Sequence, residues 1–216
     1  MPLIDRYAPQ SLADIVYPTD DAQARIENYI TTGANGAHPG SLLLHGPFGT
    51  AKTSLIKLVA DHLVPVERDV NIGFCCGTGF TTSGQVSKEI GNFGAVMPYR
   101  CRYRVMIVDE VDSMSKAAQR ELRAQIDRLG THCLVMFTAN ELQEVDAGIQ
   151  SRSTSVLIGR AHSTRWLPRA RMIMANEKIE ISDENLLATL NAAAGDIRQI
   201  FRNLQAVVNG AARNKS

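Results

Sequence analysis

The run Gly46-Pro47-Phe48-Gly49-Thr50-Ala51-Lys52-Thr53 follows the spacing GxxxxGK[ST], with alanine in place of the last glycine. Glycines let backbone N–H groups turn inward onto phosphate oxygens, and a helix N-terminus behind them adds positive dipole. In that pattern Lys52 reaches the β- and γ-phosphates of ATP and the Thr53 hydroxyl ligates Mg²⁺, with Ser54 next along the chain among the nucleotide contacts. The Ala51 methyl costs little at negative φ, which is the expectation here. Farther on, Asp109-Glu110-Val111-Asp112 closes an apolar run. Asp109 would hold Mg²⁺ through water, and Glu110 would orient and polarise the attacking water, since phosphoryl transfer needs positioning and charge neutralisation. A third apolar run ends in Phe137-Thr138-Ala139-Asn140. There Asn140 can address the γ-phosphate or the lytic water, although asparagine is also a common turn residue.

These groups need a scaffold that brings several chain segments to one edge. From Ser41 a short apolar strand, a glycine turn and a helix with Leu55, Leu58, Val59 and Leu63 at helical spacing follow one another. Further strands are expected at 66–72, 104–109, 133–138 and 155–158, with a helix at 115–129 between the third and fourth. Residues 104–109 are nearly all apolar, as in parallel strands covered on both faces. The glycine-rich stretch 73–84 reads as a surface or ligand-facing loop. The pattern predicts an α/β P-loop fold, a five-stranded parallel sheet flanked by helices, with ligands beyond the carboxyl ends of the strands. After Arg160 only helices are expected, near 164–176, 183–193 and 196–209, with Pro168 in the first turn of its helix. The expected domains are therefore 1–160, nucleotide-binding, and 161–216, an all-α lid.

Hydrophobic residues at 44% and charged residues at 21% are those of an ordinary globular chain of 216 residues. No apolar run approaches a membrane span, and the N-terminus lacks the layout of a signal peptide, so the cytoplasm or nucleoid is the expected place and no membrane partner is expected. Cys75, Cys76, Cys101 and Cys133 show no metal-knuckle spacing and read as buried free thiols. The net charge of +1 hides an asymmetry: 13 Lys/Arg against 17 Asp/Glu in residues 1–150, and 10 against 5 in residues 151–216. A nucleic-acid partner is permitted by this but not demanded.

Other stretches carry a resemblance. Asp5-Arg6-Tyr7-Ala8-Pro9 with Leu12-Ala13-Asp14-Ile15-Val16, the stretch Asp112-Ser113-Met114-Ser115-Lys116-Ala117-Ala118-Gln119-Arg120-Glu121-Leu122-Arg123, then Gln150-Ser151-Arg152-Ser153-Thr154, and Gly195-Asp196-Ile197-Arg198 with Asn203-Leu204-Gln205 stand in order along the chain. Together with the phosphate loop they resemble the small subunits of replication factor C and other sliding-clamp loaders, AAA+ ATPases, over nearly the whole length. The resemblance implies that Tyr7, Pro9, Ile15 and Val16 lie against the adenine. It implies that Asn140 is sensor 1, that Arg152 is an arginine finger acting on the neighbouring subunit's γ-phosphate, and that Arg198 is sensor 2. It further implies ATP and Mg²⁺ at inter-subunit sites of a homo-oligomeric ring, spiral or filament, assembled on double-stranded or primed DNA with a sliding clamp or other protein partner. Ser153 stands where the family has cysteine. The family's C-terminal collar is absent from a sequence ending at Ser216, so a collarless module or a fragment is expected.

Relatives track DNA with helix starts, which here are Thr81, Thr82, Ser83 and Lys88, then Ser115, Lys116 and Gln119. Hydroxyls, backbone N–H groups and lysines there suit phosphates without reading sequence, and they equally suit plain helix capping. Arg100, Arg102 and Arg104 alternate along an extended stretch that either binds phosphate or decorates a loop. Trp166 is expected in the core. Two other readings stand beside the clamp-loader-like one: an ATP-gated filament or scaffold on DNA with slow hydrolysis, like transposition helpers, and a protein remodeller using Gly79-Phe80 as a pore loop.

Overall fold

The computed structural model describes residues 1–213. The chain divides into two compact units, one of residues 21–46 and 52–157, the other of residues 1–20, 47–51 and 158 onward.

In the first unit five parallel strands, β1 (Ser41–His45), β2 (Ile72–Cys76), β3 (Arg104–Asp109), β4 (Cys133–Ala139) and β5 (Ser153–Leu157), form a sheet of order β2-β3-β4-β1-β5. Its longer helices are α1 (Asp20–Ala34), α2 (Lys52–Leu63) and α3 (Lys116–Arg128). The central strands are apolar because both faces are covered: Leu42, Leu43 and Leu44 are fully buried, and so is every residue of β4. Each such leucine contributes about 2 kcal/mol of burial. One face is packed by Leu43, Met106, Val108, Leu122, Val135 and Phe137. The register sets Leu44 beside Thr138 and Val108 beside Phe137, so the carboxyl ends of β1, β3 and β4 align.

The second unit holds α4 (Ser163–Asn176), α5 (Asp183–Asn191) and α6 (Ile197–Arg213). Trp166, Ile173, Leu186, Leu190, Phe201 and Leu204 form its core, joined by Leu3 from the N-terminal segment. Ser182 caps α5, its hydroxyl accepting from the Asn185 N–H. Trp166 is buried, edge-on to Phe201.

Several expectations shift. The second strand lies at Ile72–Cys76 rather than 66–72, within the stretch read as a loop. Residues Arg68–Asn71 instead close a helical turn, held by Asn71, whose side chain bonds to the Glu67 and Tyr99 carbonyls. Gly73 lies in the strand through its pairing with Met106 on β3, and a Cβ there would meet Met106 and Phe93 at about 3 Å. Pro168 sits inside α4, past its first turn. The chain before residue 21 and the loop Pro47–Ala51 group with the helices after 157, whereas the sequence pattern assigned them to a domain ending at 160. The alternating arginines do not share one side: Arg104 is buried, donating to the carbonyls of Phe93 and Val70 with its guanidinium over the Phe93 ring. Of the cysteines only Cys133 is fully buried, and all four are free thiols.

Candidate active site

In the sheet unit the residues expected to face the phosphates assemble at the carboxyl ends of the strands. Lys52, the first residue of α2, is buried, and its Nζ donates to the Gly46 carbonyl at 2.7 Å and to Asn140 Oδ1 at 2.9 Å. The Thr53 hydroxyl donates to both carboxylate oxygens of Asp109, at 2.9 and 3.1 Å. Thr53 and Asp109 are the two hard oxygen ligands a Mg²⁺ ion would take from this chain. Among the described residues there is no cluster of three or more His, Cys, Asp or Glu able to hold a metal. Two protein oxygens with water and phosphate completing the shell is the arrangement Mg²⁺ favours, so the residues present fit it.

Two groups to which the sequence reading gave no role organise this set. The Thr138 hydroxyl donates to Asp109 Oδ1 and accepts the Glu110 N–H at 2.9 Å, fixing both acidic residues at once. The Asp112 carboxylate accepts the N–H groups of Asn140 and Glu141 at 2.9 and 3.0 Å, tying the end of β4 to the turn after β3. The parallel pairing of β3 with β4 could have flagged Thr138, since it follows the Phe137–Val108 pair and must stand next to Asp109. Glu110 occupies the left-handed region at φ 55, and its carboxylate has no hydrogen bond or ion pair among the described residues.

Ala51 adopts φ 60, not the negative φ expected, so its methyl is carried in a region that ordinarily selects glycine. Phe48 is exposed and Gly49 is left-handed at φ 78.

In the helical unit Tyr7, Pro9, Ile15, Val16, Thr50 and Ala51 line one mostly apolar cavity, together with Trp166 and Arg169. Arg169 Nη2 donates to the Tyr7 carbonyl at 2.9 Å and Nη1 to Asp14 at 3.3 Å. Burial raises the Tyr7 hydroxyl, and the adjacent Glu177 carboxylate that it bonds at 2.7 Å adds to this. The N–H of Ile197, at the start of α6, donates to the Gly49 carbonyl at 2.9 Å. Arg198, one residue on, is exposed and borders a different groove, with Leu3, Ile4 and Arg202.

Arg152 is not among the phosphate-facing residues of its own chain. It precedes β5, whose first residue, Ser153, pairs with Ser41 at the start of β1, whereas Gly46 follows the end of β1. At about 3.3 Å per residue the five steps from Ser41 to Gly46 span about 16 Å. Its guanidinium pairs with Asp127 instead. At the helix starts, Gln85 Oε1 accepts from the N–H and hydroxyl of both Thr81 and Thr82, and Ser115 caps α3 while donating to the Thr81 carbonyl at 2.9 Å. Lys116 pairs with Glu144 at 3.0 Å, and Ser83 and Lys88 are exposed.

A phosphate loop after β1, an acidic pair after β3 and an asparagine after the strand between them define a P-loop nucleotide-binding ATPase fold. Residues 42–160, more than half of the chain, match the ATPase family associated with various cellular activities (AAA), and the chain belongs to that family. It is 29% identical over 213 residues to the probable replication factor C subunit 2 of Dictyostelium discoideum, covering 97% of this chain and 61% of that protein. It is 30% identical over 212 residues to replication factor C subunit 2 of Arabidopsis thaliana, covering 97% and 62%. The chain thus spans about three fifths of the length of these relatives. Among solved structures, the Thermotoga maritima RuvB Holliday junction branch migration motor superposes with a TM-score of 0.76 at 19% identity, over 97% of this chain and 68% of that one, a likeness of fold.

Proposed function

We propose that the chain is a clamp-loader-like AAA+ ATPase that binds ATP and Mg²⁺ at sites completed by a neighbouring copy and uses hydrolysis to time its assembly on DNA and its release. The observation that carries this is the hydrogen-bonded set of Lys52, Thr53, Asp109 and Asn140, with Glu110 held beside it and Arg152 at the opposite edge of the sheet. Lys52 and the loop N–H groups take the triphosphate, Thr53 and Asp109 hold the ion, Glu110 and Asn140 orient water, and the apolar cavity around Tyr7, Ile15 and Val16 takes the base. Arg152 stands too far from the phosphate loop of its own chain to neutralise charge there, which supports a neighbour's γ-phosphate as its target. A cation supplied in this way can be worth ~10³–10⁵ in rate. Arg198 is assigned to sensor 2 by its place in the motif, two residues after Asp196.

The named relatives are subunits of a replication factor, which supports an assembly of more than one chain working on DNA, with a clamp or other protein as its partner. For this chain the proposal is a homo-oligomer in the compartment that holds DNA. The helix starts at Thr81, Thr82 and Ser83 and at Ser115 and Lys116 meet through the Ser115 to Thr81 bond, forming one polar edge suited to a phosphate strand. Lys88, farther along the same helical stretch, is exposed and can add charge, and the surface pair of Lys116 with Glu144 is weak enough to yield to a phosphate.

The deciding experiment measures ATP hydrolysis per protomer against protein concentration, with Mg²⁺ and with or without primed DNA, for the wild type and Arg152→Ala. Specific activity should rise with concentration and fall at least a hundredfold in the variant. Activity independent of both would end the proposal. Particle mass with a non-hydrolysable ATP analogue then separates closed rings from open filaments.

A further inference from the structure

Arg152 is not a loose surface side chain. Its Nε and Nη2 donate to the two oxygens of Asp127 at 2.6 and 2.9 Å, and its Nη1 donates to the Gly148 carbonyl at 3.0 Å. A side-on bidentate pair of this kind fixes the plane of the guanidinium as well as its place. A guanidinium has five N–H donors in a fixed fork. Three are spent on Asp127 and Gly148, and two are left for an incoming anion. The platform is itself braced. Asp146 caps the short helix Ala147–Ser151 by accepting the Gly148 N–H at 2.8 Å and pairs with Arg123 on α3. Arg123 crosses Gly148 so closely that a Cβ there would lie 2.2 Å from Arg123 Cδ. Asp127 follows Arg123 by one helical turn, so α3 presents both residues to the same segment.

We propose that Asp127 is a positioning residue for Arg152: it holds the guanidinium in the plane and place from which the two remaining N–H groups meet the phosphate of a neighbouring copy. The inference rests on the reading of Arg152 as a finger that acts between copies. Asp127 touches no nucleotide. It acts by removing the rotamer freedom of a long side chain before the copies meet, so that less ordering is left for the moment of reaction. The same pairing depresses the Asp127 carboxylate, chiefly through the hydrogen bond from Arg152, so the latch is fully charged at neutral pH.

The test uses two kinds of full-length protomer. Arg152→Ala keeps an intact ATP site but supplies no finger, and Glu110→Gln supplies a finger but hydrolyses nothing. Mixed, they regain activity only where the finger of the second serves the site of the first. Placing Asp127→Asn in the Glu110→Gln protomer should lower kcat of the mixture about fivefold, with KM for ATP within about twofold, because an exposed pair positions rather than binds. Asp127→Glu in the same protomer should restore most of the rate. A mixture as fast with Asp127→Asn as without it, or faster, overturns the role of Asp127 while leaving the finger intact. A mixture that shows no activity above its components overturns the finger itself, and the inference with it. Asp127→Asn alone, in otherwise unaltered protein, should show the same loss in kcat and an unchanged melting temperature, and a lowered melting temperature with normal kcat would mark Asp127 as structural only.

Discussion

Lys52 Nζ and Asn140 Oδ1 are joined by a 2.9 Å hydrogen bond, so the phosphate-loop lysine and the residue at the end of β4 are held together before any phosphate arrives. On the proposed function, nucleotide draws the ammonium toward the β- and γ-oxygens, and Asn140 is then left to address the γ-phosphate or the water. Truncating it removes a contact that competes with phosphate as well as one that serves turnover. Asn140→Ala should leave the ATP dissociation constant within about threefold while kcat falls roughly tenfold to a hundredfold. Equilibrium binding beside steady-state hydrolysis checks this. Loss of affinity as large as the loss of kcat would place Asn140 in ground-state binding instead.

The backbone of Gly77 lies against the turn that carries Glu110. A Cβ at Gly77 would sit 2.1 Å from the Glu110 carbonyl oxygen and 2.8 Å from its carbonyl carbon, so main chain has to move to admit even alanine. Glu110 is already held in the left-handed region, anchored through its N–H to Thr138. Displacement of a catalytic group by about 1 Å can cost on the order of a hundredfold in rate. Gly77→Ala should therefore lower kcat at least tenfold, with ATP binding changed by no more than about threefold. A variant with wild-type kcat would mean that the segment after β2 gives way and Glu110 does not.

How much of this was legible beforehand depended on the distance over which each feature is specified. The phosphate loop, Asp109 and Asn140 each end an apolar run, so residue type and local pattern place them together. Tyr7, Pro9, Ile15 and Val16, which the resemblance sets against the base, line one cavity. The second strand was not legible, because glycine is depleted in strands, and what sets Gly73 in one is the pairing of Ile72–Cys76 with β3, with Met106 and Phe93 packed closely over it. Arg104 read as one of three exposed arginines, and only the carbonyls of Phe93 and Val70 reveal it as a buried brace. Thr138, Asp112 and Asp127 act through partners 25 to 29 residues away in sequence, and no local pattern announces such pairings.

Ala51 at φ 60 makes a direct prediction about stability. A left-handed non-glycine residue costs ~1–2 kcal/mol, and glycine there would recover that, less ~0.5–1 kcal/mol for its greater freedom in the unfolded chain. Ala51→Gly should stabilise the protein by roughly 0.5–1 kcal/mol, raising Tm by about 1–4 °C for a chain of this size. Thermal unfolding without nucleotide is the measurement. An unchanged or lowered Tm would show that the loop does not hold this conformation in solution.

His45 ends β1 directly before the phosphate loop, and its imidazole is held below the usual histidine range, first by burial and then by the positive charges of Lys52 and Arg25. His38 is shifted the same way, by burial and by Arg102, against an opposing contribution from the Cys133 backbone. In the unfolded chain both take up a proton near pH 6.5. In the folded chain they do so only at lower pH. Between those values the unfolded state binds more protons, so stability is fully present above about pH 6.5 and is lost as the pH falls through the folded-state values. Urea unfolding midpoints should decline from pH 7.5 to pH 5.5, and His45→Gln should flatten part of that decline. Binding of a triphosphate beside Lys52 offsets the charge that holds His45 down, so ATP binding near pH 6 should take up protons. Calorimetric binding enthalpies in buffers of different ionisation heat would register that uptake, and its persistence in His45→Gln would assign the proton to another group.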